Sequence, residues 1–249
     1  MTFIKHNLDL PLVMFDDLTK SIKFDDITDG RKGANLVDIT QNGLISLVRT
    51  TTKYKNPNQS FTPIHYNIMK MIGHTVTANF NNALIEIYNS KYCNMGYHSD
   101  QALDLDDNSY ICLFSHYSNP STTSLRKLKV KSKINDEQTE IILDHNSIVL
   151  FTVETNSKYL HKIMLDKNNS KDEWLGITFR KSKTFIFFNN ELPYFYKDNL
   201  SIQLTLATDD QVIEFMKLRK RENKTTDTNI YDFITYTISP GDIMPVKND

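Results

Sequence analysis

The sequence predicts a mainly β fold of the jelly-roll class with flanking helices. Three observations lead there. From Phe80 onward the chain runs through seven short β-rich segments, turn-forming linkers separate them at near-regular intervals, and helical signals are confined to one stretch on either side. Residues 1–47 are expected as an N-terminal extension packed on the core, 48–182 as the core, and 183–249 as a helical and irregular elaboration.

Taken in order, residues 16–35 (DDLTKSIKFDDITDGRKGAN) are polar and acidic and read as irregular or weakly helical. Thr62-Pro63 has the form of an N-cap with proline at the first helical position, and Ile64, Ile68 and Ile72 follow at helical spacing. The β-rich runs are NALIEIY (82–88), SYICLFSHY (109–117), LRKLKVKSK (125–133), TEIIL (139–143), SIVLFTVE (147–154), YLHKIML (159–165) and EWLGITFR (173–180). The linkers SNPSTTS, INDE, DHN and DKNNSKD are rich in turn formers. Beyond Arg180 come an aromatic stretch, TFIFFNNELPYFY, and a capped helix starting at Thr208.

A chain of 249 residues with 39% hydrophobic content can bury a substantial core. Its formal net charge of -1 exerts no global pull toward nucleic acid or anionic membrane, so any such partner must be held locally. Two cysteines, Cys93 and Cys112, are too few for a disulfide framework and lack zinc-type spacing. No segment approaches the roughly 18 apolar residues of a membrane span. A soluble protein of the cytoplasm or nucleus, with no membrane partner, is the expectation.

The segment YHSDQALDLDD (97–107) carries the chemistry. In extended backbone, residues two apart share a face, so His98 and Asp100 can aim at one point. Alternation in YLHKIML puts His161 with Tyr159 and Ile163 on one face, making it the candidate third ligand. Two imidazoles and one carboxylate form the facial triad that binds non-haem Fe(II) and leaves positions open for chemistry. An iron with an oxoacid cosubstrate calls for a buried cation. EWLGITFR supplies one: Trp174, Gly176, Thr178 and Arg180 share a face, while Leu175, Ile177 and Phe179 form an apolar back.

The order of NALIEIYNSKYCNMGYHSD, the distal His161 and GITFR resembles the AlkB-like branch of the 2-oxoglutarate/Fe(II)-dependent dioxygenases over roughly residues 48–182. The resemblance implies a cupin-like double-stranded β-helix, with Fe(II) at His98, Asp100 and His161. 2-Oxoglutarate contacts would come from Tyr88 and Arg180, with Thr178 and Trp174 beside them, and O2 would be the oxidant. It also implies a substrate lid in VRTTTKYKNPNQ (48–59), with Arg49 and Tyr54 as contributors. Three places depart from the family pattern: Trp174 and Gly176 stand where an arginine and an asparagine are usual, and Glu86 replaces another asparagine.

Other readings run alongside. An HxD spacing also arises in solvated turns, and Arg180 could neutralise an acid at a strand end. Asp104, Asp106 and Asp107 lack the glycine and terminal glutamate of a calcium loop and read as a solvated turn. His65, His74, His116 and His145 read as structural. Lys127, Lys129, Lys131 and Lys133 would line one strand face, as a phosphate track or as edge-strand protection. The substrate is expected to be a nucleic-acid base or nucleotide, to be hydroxylated or demethylated with release of succinate and CO2. A protein side chain on the same scaffold, or a non-catalytic binding module, are the alternatives.

Overall fold

The computed structural model of the protein describes residues 3–166, 171–197 and 200–246. Part of the predicted turn DKNNSKD, residues 167–170, lies outside them. An eight-stranded sheet forms the main wall, running Ile4–Asn7, Ser147–Thr152, Tyr110–Tyr117, Trp174–Arg180, Asn82–Tyr88, Arg31–Val37 and Asp25–Thr28, with Gln59–Ser60 pairing parallel to Arg31–Val37. Facing it is a smaller antiparallel sheet in the order Tyr159–Met164, Lys127–Ser132, Gln138–Ile142. The HxD segment joins the smaller sheet's edge, with His98 and His161 exchanging backbone hydrogen bonds of 3.0 and 2.6 Å. This is the expected jelly roll.

Alternation along each strand sorts residues between two cores. Leu175, Ile177 and Phe179 join Ile85, Phe114 and Ile148 on the outer face of the main sheet, under Leu18 of the helix Phe15–Thr19 and Ile68 and Ile72 of the helix Pro63–Gly73. The inner face closes on Leu128, Val130 and Ile163 of the smaller sheet around Tyr88, Tyr117 and Trp174. The predicted cap at Thr62 is present, its N–H donating to Nδ1 of His65 at 3.1 Å. That ring is fully buried under the helix.

Several elements differ from expectation. Residues 1–47 contribute the strands Ile4–Asn7, Asp25–Thr28 and Arg31–Val37 to the main sheet instead of lying on the core. RKGANLV has weak intrinsic strand preference, and pairing with Asn82–Tyr88 on one side and Asp25–Thr28 on the other determines its conformation. The run read as a strand over 147–154 ends at Thr152, whose side chain caps a short helix, Val153–Lys158. The aromatic stretch is a hairpin, Phe185–Asn189 with Leu192–Lys197, turned at Asn190 and Glu191 with φ of 48° and 63°. Lys127–Ser132 lies at the centre of its sheet, so edge protection is not its role. Its lysines pair with acids: Lys127 with Asp166 and Glu140, Lys129 with Glu140, and Lys131 with Asp136. That pairing offsets three of the four lysines of the ladder read as a phosphate track, and Lys133 instead donates to the carbonyls of Glu222 and Thr225. Among the described residues, no helix is long and apolar enough to cross a membrane.

Candidate metal centre and cavity

Between the two sheets, the ligand atoms of His98, Asp100 and His161 lie within 4.8 Å of one another. Asp100 and His161 are buried, and His98 is half-buried. Nδ1 of His98 lies 3.0 Å from the carbonyl of Gly96; a carbonyl only accepts, so Nδ1 carries the proton and Nε2 is left with its lone pair. Nε2 of His161 is 3.3 Å from Oδ1 of Asp100. The other carboxylate oxygen of Asp100 accepts from Nε of Arg180 at 2.8 Å, both side chains being buried.

Electrostatics keep this group ready for a cation. Burial alone would raise the Asp100 carboxyl, but the Arg180 guanidinium and both histidines together hold it well below the usual carboxylate range. Burial, reinforced by neighbouring His161, pushes His98 down to about 3. The His98 imidazole is therefore neutral and the Asp100 carboxylate charged at neutral pH, the protonation states a divalent metal requires of such ligands.

The backbone around the motif is pinned from two directions. The Asn156 side-chain amide accepts from the N–H of Asp100 and donates to its carbonyl, both at 2.7 Å. From the C-terminal helix Asp209–Lys224, Asn223 accepts from the N–H of Ser99 at 3.0 Å, Glu222 accepts from the N–H of Ala102 at 2.8 Å, and Arg219 donates to the Ser99 carbonyl. A cavity of about 360 Å³ opens beside the triad. Its apolar wall includes Leu84, Leu113, Phe151 and Ile163; Thr178, Arg180, Arg31 and Glu86 add polar groups, and Thr50, Thr51, Thr52, Gln101, Arg219 and Asn223 extend the wall.

The remaining predicted residues fall in different places. Thr178 and Arg180 line the cavity; Tyr88 and Trp174 do not. The Tyr88 hydroxyl donates to Glu86 at 2.6 Å, and the Trp174 indole N–H donates to Ser115 at 2.7 Å. The indole lies across Gly176, where an added β-carbon would overlap its six-membered ring. Both aromatic rings also flank the buried guanidinium of Arg126, which donates to the carbonyls of Tyr92 and Asn89.

The lid assignment is corrected for its two named residues. Arg49 is buried, donating to both carboxylate oxygens of Asp104 at 3.0 and 2.7 Å and to the carbonyls of Ile234 and Tyr236 at 2.6 and 3.0 Å. Every edge of that guanidinium is used away from the cavity, and Asp104 is a fully buried counter-ion instead of part of a solvated turn. Asp106 and Asp107 do stay at the surface, paired with Lys181 and Lys183. Tyr54 is buried against Gly33, and its threonine neighbours reach the cavity wall in its stead.

A family model described as the 2OG-Fe(II) oxygenase superfamily matches residues 38–185, more than half of the chain. The chain belongs to that superfamily. It is thus a 2-oxoglutarate- and Fe(II)-dependent oxygenase, with O2 as the oxidant. Among solved structures, a Pseudomonas putida prolyl-4-hydroxylase is similar at 11% identity, with a TM-score of 0.41, over 72% of this chain and 92% of that one. A search of curated protein sequences finds no match.

The oxygenase's donor set suits ferrous iron: two imidazoles and one carboxylate beside the cavity. Arg31, which sequence reasoning missed, forms an ion pair with Glu86 at 2.6 Å on the cavity wall. Its segment has no strand signal, so nothing local announced its position. Arg219 and Asn223 were also missed, although a four-residue spacing on a capped helix puts them on one face.

Proposed function

We propose that this oxygenase is AlkB-like and oxidises a nucleobase or nucleotide-like substrate, hydroxylating it or removing an N-methyl group. The observation that carries this reading is the contact between the terminal arginine of GITFR and the HxD aspartate, Arg180 to Asp100, beside a cavity of about 360 Å³. That volume suits a small planar group within the usual range of small-molecule sites, about 300–1,000 Å³.

In this reading His98, Asp100 and His161 hold the iron, while Thr178 and Arg180, together with Arg31, hold the oxoacid. When bound, Fe(II) and 2-oxoglutarate supply the oxidising power that inserts one oxygen atom of O2 into a substrate C–H bond, the other leaving in succinate as CO2 is released. Arg180 keeps Asp100 ionised and fixes its orientation. The Gly96 carbonyl keeps the His98 proton on Nδ1. Leu84, Leu113, Phe151 and Ile163 exclude water from the inner wall, so polar contacts there act in a low dielectric. Arg31 carries the charge suited to the oxoacid's far carboxylate, with its partner Glu86 moderating that attraction.

The test has two stages. Anaerobic addition of Fe(II) and 2-oxoglutarate should produce the visible charge-transfer absorption of the chelate. Succinate release is then measured with N-methylated oligonucleotides, modified nucleosides and peptides. Stimulation by a modified base supports the proposal; stimulation by peptides alone would replace it with protein side-chain hydroxylation.

A further inference from the structure

Gln101 follows the iron-binding aspartate directly, lines the cavity and is 6% exposed. Among the described residues, neither its Nε2 nor its Oε1 has a hydrogen-bond partner. A buried side-chain amide with both ends unpaired is costly, and native proteins seldom leave one so. The backbone around it is not loose. Asn156 holds the N–H and carbonyl of Asp100, and Glu222 holds the N–H of Ala102, so the side chain projects from a fixed base.

We propose that Gln101 is the specificity-determining residue of the cavity, reading a planar substrate edge that presents a donor and an acceptor side by side. The inference rests on the nucleobase reading and deepens it. A side-chain amide offers one N–H and one carbonyl on the same edge, which matches the exocyclic amino group and N7 of adenine, an edge that methylation at N1 leaves intact. The N–H and C=O of a trans peptide bond point in opposite directions, so a single backbone amide cannot satisfy both ends of Gln101. A base edge can. The unpaired amide thus provides discrimination, because a substrate lacking either group leaves it unsatisfied.

The experiment compares wild type with Gln101→Met, which keeps the shape and removes both polar ends. Two oligonucleotides serve as probes, one carrying 1-methyladenine and one carrying the same base without its exocyclic amino group. Wild type should favour the first by roughly 10- to 100-fold in kcat/KM, a span in keeping with bidentate base contacts, and the variant should lose most of that preference. Thermal unfolding without substrate should show the variant equal to wild type or up to about 4 °C higher, since an unpaired buried amide has been removed. A lower Tm in the variant would mean that the folded protein itself satisfies the amide, overturning the inference whatever the substrate. Equal discrimination by both proteins also overturns it and leaves the nucleobase reading standing. No turnover of either oligonucleotide by wild type, with turnover of a peptide, ends the nucleobase reading and the role of Gln101 as a base reader with it.

Discussion

The strand Trp174–Arg180 has two faces that obey different rules. Leu175, Ile177 and Phe179 are all fully buried against other apolar side chains under the helices. On the opposite face, Trp174, Thr178 and Arg180 meet Ser115, the cavity and Asp100 respectively. The outer face requires only volume and apolarity, which many residues could meet. The inner face requires particular atoms at particular places: the Trp174 indole N–H is bound to Ser115 and the Arg180 guanidinium to Asp100. Substitutions on the outer face should therefore affect stability, whereas those on the inner face should divide between stability and metal chemistry.

The largest expected effect is on the inner side. His161→Ala removes one of the three proposed ligands and should abolish stoichiometric Fe(II) retention, measured by metal analysis after gel filtration, with the fold intact by circular dichroism; full retention would refute the ligand set. Arg180→Met should come next. It leaves the Asp100 carboxylate buried without its cation, a loss of about 3–5 kcal/mol in denaturant unfolding, and bound iron should recover part of it. Phe179→Ala gives the matched outer-face contrast. About 3–5 kcal/mol of stability should go through lost packing, while Fe(II) binding per folded molecule stays unchanged. If iron binding fell as far as in the Arg180 variant, the separation between the two faces would fail.

The outer layer also has its own pH response. Burial lowers His65 and His116 to about 4 each, from an ordinary 6.5. Both stay neutral in the folded protein while the unfolded chain takes up protons, so stability should fall as pH drops from about 6.5 to 4, by on the order of 3 kcal/mol for each. Asp242 works in the opposite sense, because burial raises it to about 6 and the folded state binds a proton first. It offsets roughly one histidine, leaving a net loss that urea midpoints at pH 7 and pH 4.5 would reveal. A flat profile would show that the rings are not held neutral. Gly176→Ala should give the smallest effect, about 1–3 kcal/mol, since the added methyl group must push the Trp174 indole aside. A neutral result would mean that the indole moves freely.

How much could be read in advance depended on whether a residue's role was local. The shared aim of the candidate ligands His98 and Asp100 and the inward face of His161 follow from two-residue alternation, a property of extended backbone itself. The cap at Thr62 and the helix from Thr208 follow from local hydrogen bonding in the same way. Arg31 carried no comparable signal, because RKGANLV becomes a strand only between its two neighbours. Arg49 looked like a lid residue since nothing nearby in sequence indicates Asp104, 55 positions away, as its partner.

By itself, then, the amino-acid sequence determined the rolled β architecture, the grouping of His98, Asp100 and His161 and the apolar back of the strand that carries Arg180. Tertiary structure alone decided that Arg49 is buried with Asp104, that Tyr88 and Trp174 do not line the cavity, and that Gln101 lines it with a buried amide that has no partner among the described residues. The physical reason is range. Side-chain alternation and helix capping act over a few residues, whereas the pairing of buried charges and polar groups is settled only when distant strands close and exclude water.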